Sequence, residues 1–208
     1  MKRRLIGGSI VLLAIAALIV AQGERLASPA GVASTEIRGK YVPGPDGPVY
    51  QDGKWIEITS GRPIKRGRDL WGTGASYGEA VNAGAPVWRA GANVSTRLRT
   101  EAPLVINNKT VAPGEYSLFI DLKPRNWTLI VSRWAAQKDF NPSNRQALWG
   151  SFGYTPDKDV VRAPMKLETP SHSVDQLTWE FLDMSDAGGL IAISWDKTMA
   201  SVPFTVGK

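Results

Sequence analysis

Gly74-Ala75-Ser76-Tyr77-Gly78 spells the G-x-S-x-G pattern in which a sharp turn presents a serine nucleophile, and Asp159 and His172 follow in the Ser…Asp…His order of that chemistry. The elbow needs a strand before the serine and a helix after it. Trp71-Gly72-Thr73-Gly74 precedes the serine and no helical period follows, so the pattern lacks the elements that would aim its hydroxyl. It reads as a glycine-rich loop, and hydrolase chemistry ranks third among the functional readings. His172 is the single histidine and stands in Pro170-Ser171-His172-Ser173, a loop sequence; one histidine cannot build a multi-histidine metal site. The absence of cysteine excludes thiolate metal sites, disulfides, cysteine nucleophiles and a lipidated-cysteine anchor. Carboxylates are scattered except for Asp157/Asp159 and Asp183/Asp186, which read as turn residues flanking strands. No catalytic residue, metal ligand or cofactor is assigned.

The elements that would hold any site are strands. Trp55-Ile56-Glu57-Ile58-Thr59 alternates with period two, as does Thr96-Arg97-Leu98-Arg99-Thr100. Val105-Ile106 runs into an Asn107-Asn108 turn, and the stretches 116–121 and 127–132 are close enough to form a hairpin. Stretches 159–167, 176–182, 190–195 and 200–206 complete about nine strands. No segment after residue 23 keeps a 3.6-residue period. The expectation is an all-β antiparallel sandwich or jelly roll over residues 54–208. Trp55, Trp127, Trp179 and Trp195 lie in or at the ends of these strands, and most of them are expected to be buried. Residues 133–153 form one long irregular insertion carrying Trp134, Phe140, Trp149 and Phe152.

Ahead of that domain, Lys2-Arg3-Arg4 leads into an uncharged stretch over residues 5–23. As a helix it would be about 28 Å long, close to the hydrocarbon thickness of a bilayer. It reads as a retained transmembrane anchor with its N-terminus in the cytoplasm and everything after it outside; cleavage as a signal peptide near Ala21-Gln22-Gly23 is the alternative. Residues 24–53, with Pro29, Pro43, Pro45 and Pro48, read as a flexible linker. Beyond the first four residues the chain has 22 basic and 19 acidic side chains. That near balance, with Arg62, Lys65, Arg66 and Arg68 as its densest basic cluster, does not make a nucleic-acid stripe.

Several blocks together point to a family: residues 61–72 (Gly-Arg-Pro-Ile-Lys-Arg-Gly-Arg-Asp-Leu-Trp-Gly), 87–93 (Val-Trp-Arg-Ala-Gly-Ala-Asn), 111–119 (Val-Ala-Pro-Gly-Glu-Tyr-Ser-Leu-Phe), then 127–130, 159–162 and 193–196. In that order they resemble the bacterial exported family catalogued as domain of unknown function 2911, over about residues 55 to 206. The resemblance implies an exported, β-rich domain and supplies no catalytic residue. Members often carry an acidic residue after the motif asparagine, where this chain has Val94. The motif residues Arg62, Arg66, Trp88, Arg89 and Asn93 either line a ligand pocket or tie loops together; the structural role is preferred, because buried polar groups need partners. Gly114 after Pro113 fits a turn that requires positive φ.

The leading functional expectation is a non-catalytic, membrane-anchored periplasmic accessory subunit of a bacterial membrane protein complex. Its layout is similar to that of subunits packed around energy-converting complexes such as photosynthetic reaction centres. Lipid bilayer and partner protein are the expected contacts, the latter through Trp134, Phe140, Trp149 and Phe152, because exposed aromatics with arginine nearby are what interfaces favour. A periplasmic small-ligand or carbohydrate-binding module is the second reading.

Overall fold

The computed structural model describes residues 27–207. The expected anchor over residues 1–23 lies outside them. Among the described residues no helix is long and apolar enough to cross a membrane.

Two antiparallel sheets face each other. Numbered along the chain, the first runs β1 (Ala30–Ile37), β4 (Lys54–Gly61), β5 (Thr96–Thr100), β8 (Gly114–Asp121), β9 (Thr128–Ser132) and β12 (Asp159–Pro164) in spatial order. The second runs β14 (Val174–Ser185), β15 (Gly188–Asp196), β16 (Thr198–Val206), β6 (Leu104–Ile106) and β7 (Lys109–Val111), with β13 (Lys166–Glu168) also paired to β16. Period-two alternation sends Ile56, Ile58, Leu98, Leu118, Ile120 and Leu129 from the first sheet into one core with Leu177, Ile191, Ile193, Val202 and Phe204 from the second. β1 packs beside β14 and β12 beside β7, so the sheets approach at both margins. This shields edges that would otherwise template aggregation.

Asn107 and Asn108, at φ 47° and 59°, close the β6–β7 hairpin in the left-handed conformation that asparagine tolerates. Gly114 sits at φ 152° at the start of β8, a conformation rarely open to other residues. The stretch 159–167 is two strands rather than one: after Pro164 the chain leaves the first sheet, and Lys166 begins a strand on the second.

Two expectations change. The presumed linker is largely structured: β1 pairs with β4 through eight residues, from Ala30 opposite Gly61 to Ile37 opposite Lys54. A small hairpin follows, β2 (Lys40–Val42) with β3 (Val49–Gln51). β1 is Ala-Gly-Val-Ala-Ser-Thr-Glu-Ile. Its small and polar residues mask its alternation, and main-chain hydrogen bonds to β4 hold it in place. Of the four strand tryptophans Trp55 is the exception, 47% exposed, because on β4 Ile56 and Ile58 take the inward face and their neighbour must point out. Trp127, Trp179 and Trp195 are buried as expected.

The insertion is also more ordered than an irregular loop. Phe119 and Ile130, opposite each other on β8 and β9, point away from the main core and form a second one with Val87, Leu148 and Tyr154. The insertion is therefore a lid on the outer face of the first sheet, which explains why β8 and β9 are buried on both faces. A short parallel pair, β10 (Ala135–Ala136) with β11 (Ala147–Leu148), ties its two limbs.

Candidate functional site

Two regions gather the residues singled out from sequence, and each is built on a different part of the frame. The first is the insertion. Gln137, 7% exposed, organises it: its side-chain Nε2 faces the carbonyls of Asn141, Asn144 and Ala147 at 3.1, 3.2 and 2.9 Å, and its Oε1 accepts from the Asn141 amide at 2.8 Å. Buried Ser95 donates to the carbonyls of Leu148 and Gly150 from below. Trp134 is half-buried against the second core; its Nε1 donates to the Thr155 carbonyl at 3.0 Å and Lys158 Nζ lies 3.5 Å over its ring. Tyr154 is buried, and its hydroxyl donates to Asp159 Oδ2 at 2.6 Å. Burial, and then this hydrogen bond, push its phenol well above its ordinary pKa.

The remaining rings are left outside. Phe140 is 64% and Phe152 78% exposed. Phe140 meets half-buried Trp149 edge to face at 5.8 Å, and these rings, with Trp134, Pro142 and Arg145, border a cleft of about 180 Å³. Of the four expected partner-binding aromatics, Phe140, Trp149 and Phe152 thus share an accessible cleft, whereas Trp134 largely serves the fold.

The second region lies at the end of the sandwich where β1 begins and β4 ends. Residues 62–95 cross this end. Ile64 bridges to Gln176, Trp88 exchanges main-chain hydrogen bonds with Ile120, and Leu70, Val87, Trp88 and Ala90 are buried. Four indoles meet beneath them: Trp71 lies 4.7 Å from Trp127, 5.6 Å from Trp88 and 6.1 Å from Trp195, and Trp88 stacks on Trp195 at 6.0 Å. Trp88 and Trp195 also line a cavity of about 260 Å³ shared with Ser28, Arg68, Arg89 and Asn93.

The five expected ligand residues therefore separate. Trp88, Arg89 and Asn93 come together at this cavity. Arg62 does not line it; its Nε donates to the Leu177 carbonyl and its Nη2 to Thr178 Oγ1, both at 3.1 Å, joining the two sheets. Arg66 is an exposed turn residue at φ 52° ahead of Gly67 and is not in the lining. Asn93, at φ 65°, donates from Nδ2 to the Ser28 carbonyl at 3.2 Å, tying down the chain just before β1.

The serine-nucleophile pattern is not assembled. Ser76 lies in a 3-10 turn and donates to the Thr73 carbonyl at 2.9 Å. Asp159 Oδ2 is taken by Tyr154 and Arg162, and His172 borders a separate groove with Glu168 and Glu180. No hydrogen bond joins the three. Among the described residues no group of three acidic or histidine side chains is placed to hold a metal.

The model of the family described as Protein of unknown function (DUF2911) matches residues 47–204. The chain belongs to this family. No curated protein and no solved structure matches it significantly. The DUF2911 span contains the insertion and the residue 62–95 crossover but starts after β1 and β2, so the strand that completes this protein's first sheet lies ahead of the family match. Sequence reasoning missed Gln137, Ser95 and Arg68 as site residues. Ser95 meets carbonyls more than fifty residues away, while Gln137 and Arg68 bond carbonyls of their own turns, and no residue pattern in the sequence marks either kind of contact.

Proposed function

We propose that this DUF2911 protein is a membrane-anchored, extracytoplasmic accessory subunit that docks on a membrane protein complex through the cleft of its insertion. The observation that carries the reading is the exposure of Phe140 and Phe152 on either side of Trp149, held on a frame that Gln137 and Ser95 make rigid. Aromatic rings kept in water on an ordered scaffold are the composition and preorganisation that interfaces use. A mobile loop could fold its rings away; this one has spent Trp134 and Tyr154 on packing and leaves the other rings accessible.

The N-terminal segment supplies the tether in this reading. β1 begins close behind it: seven peptide links separate Gly23 from Ala30, the first residue of β1, a span of at most about 25 Å. The domain would then stand at the bilayer surface, within reach of a neighbouring membrane protein.

The test is purification of the native protein from its membranes in mild detergent, alongside a Phe140→Ala/Phe152→Ala variant. The wild-type chain is expected to resist a carbonate wash and to co-purify with a defined set of membrane proteins. The double variant should remain folded and membrane-bound but lose those companions, since truncating interface anchors typically costs about 2 kcal/mol or more each. Retention of the same companions by the variant would sink the docking surface, and release by carbonate would sink the anchor.

A further inference from the structure

The cavity at the entry end of the sandwich has a charge arrangement that the aromatic cleft lacks. Its lining contains two arginines and no carboxylate. Both guanidinium groups are oriented by main-chain carbonyls. Arg68 donates from Nε to Lys65 at 3.0 Å and from Nη2 to Ile64 at 2.7 Å, and lies 5.7 Å from the Trp195 ring centre. Arg89 donates from Nη1 to Asn93 at 2.6 Å and is seated against Gly150, where an added Cβ would come within 2.6 Å of its Cζ.

Neither arginine makes an ion pair among the described residues. Of the acidic side chains next in sequence to the lining, Asp69 accepts from the Trp71 and Gly72 amides, Asp196 binds Lys65 Nζ at 2.6 Å and the Ser173 hydroxyl at 2.8 Å, and Glu79, beside Ala80, is exposed and is not itself in the lining. Burial lowers the pKa of the Arg89 guanidinium, as expected for a cation withdrawn from water without a counter-charge. Arg68 Nη1 and Arg89 Nε and Nη2 have no acceptor among the described residues.

We propose that this cavity binds a phosphate-type oxyanion between Arg68 and Arg89. Guanidinium forks held in fixed orientations match the spacing of oxyanion oxygens, and an anion there supplies the missing counter-charge. The Trp195 indole lies beneath the Arg68 guanidinium and helps to fix its orientation. The same chemistry could come from a soluble phosphate or from a phospholipid headgroup. The second source is geometrically open because Ser28, part of the lining, is five residues beyond Gly23; it rests on the anchor reading above, whereas the first does not.

The experiment uses the full chain in an uncharged detergent, titrated with inorganic phosphate at constant ionic strength and followed by tryptophan fluorescence, to which Trp88 and Trp195 report. A saturable change is expected, weakened at least tenfold in Arg68→Gln and in Arg89→Gln and unaltered in Lys109→Gln, an exposed control on β7 away from both sites. Should Arg89→Gln fail to fold, Arg68→Gln decides, because Arg68 is exposed and bonded only to neighbouring carbonyls. No saturable change in the wild type, or equal affinity in wild type and Arg68→Gln, overturns the proposal. Repeating the titration in bilayer nanodiscs separates the sources. A response in phosphatidylcholine discs that is lost in phosphatidylglycerol discs assigns the site to an anionic headgroup, whereas equal responses in both assign it to a soluble anion. Loss of phosphate binding would leave the companions of the aromatic cleft in place, so failure of one proposal is distinguishable from failure of the other.

Discussion

Tyr154 illustrates how single side chains divide between fold and surface in the insertion. Its ring packs on Phe119 at 5.0 Å, and its hydroxyl donates to a carboxylate whose side chain is nearly buried. A hydrogen bond to a charged acceptor contributes about 1.5–3 kcal/mol, and without the phenol Asp159 Oδ2 keeps only Arg162 as a donor. Tyr154→Phe should lower unfolding stability by about that amount in denaturant titration while leaving the exposed rings in place; an unchanged midpoint would remove Tyr154 as a pillar of the lid. Asp196 gives a second residue-scale outcome. The hydrogen bond from Lys65, then that from Ser173, hold its carboxyl below the ordinary value. A depressed carboxylate contributes stability above its unfolded pKa and loses it as pH falls through the folded one. Wild type should therefore shed a small increment, about 1 kcal/mol or less for a partly exposed pair, as pH drops below about 4. Lys65→Met should show a flatter acid limb in urea midpoints measured from pH 7 to 3.

At the scale of elements, the insertion depends on one amide. Gln137 satisfies several main-chain groups of residues 141–147 at once, and no second side chain duplicates that set. Gln137→Ala leaves the Asn141 N–H without its acceptor and the carbonyls without their donor. Each buried group so orphaned costs about 1–3 kcal/mol unless it reaches water. The loop is expected to open locally rather than the domain to unfold, because the main core shares no residue with the second one. Hydrogen exchange should accelerate across 138–147 and stay unchanged in β8 and β16; acceleration spread evenly over the domain would contradict this division. The residue 62–95 crossover is built differently. It is held by buried indoles and by strand-like bridges to both sheets, so it behaves as part of the sandwich.

For the whole molecule, the structural boundary falls earlier than composition suggests. β1 contributes a full ladder to β4 and buries Ile37, yet it lies in a stretch whose prolines and glycines read as linker. Deleting residues 1–26 should leave the unfolding midpoint of the domain unchanged. Deleting residues 1–37 should lower it markedly and expose the edge of β4, seen as aggregation in light scattering. Equal stability of the two truncations would return β1 to the status of a tether. This boundary also fixes where the chain enters the domain: beside Ser28, Asn93 and the arginine-lined cavity, at the end of the sandwich opposite the β2–β3 hairpin.

Local sequence determined what depends on neighbours along the chain. Period-two alternation marked the central strands, paired asparagines marked the β6–β7 turn, and ordered motif blocks marked the DUF2911 family. Exclusions followed from composition, since an absent cysteine or a single histidine needs no fold to interpret. The inward direction of Ile56 and Ile58 was also legible, and with it the outward direction of Trp55, although the size of the indole argued for burial. Only the tertiary structure decided the rest. An edge strand of small residues such as β1 carries its information in main-chain hydrogen bonds, which every sequence can make. Which insertion aromatics pack and which stay in water depended on a second core formed by the outer faces of Phe119 and Ile130. The motif arginines parted for a related reason: Arg62 reaches the Leu177 carbonyl and Thr178 on the second sheet, whereas Arg89 bonds Asn93 four residues on, and the path of residues 62–95 across the end of the sandwich sets which of them faces the cavity.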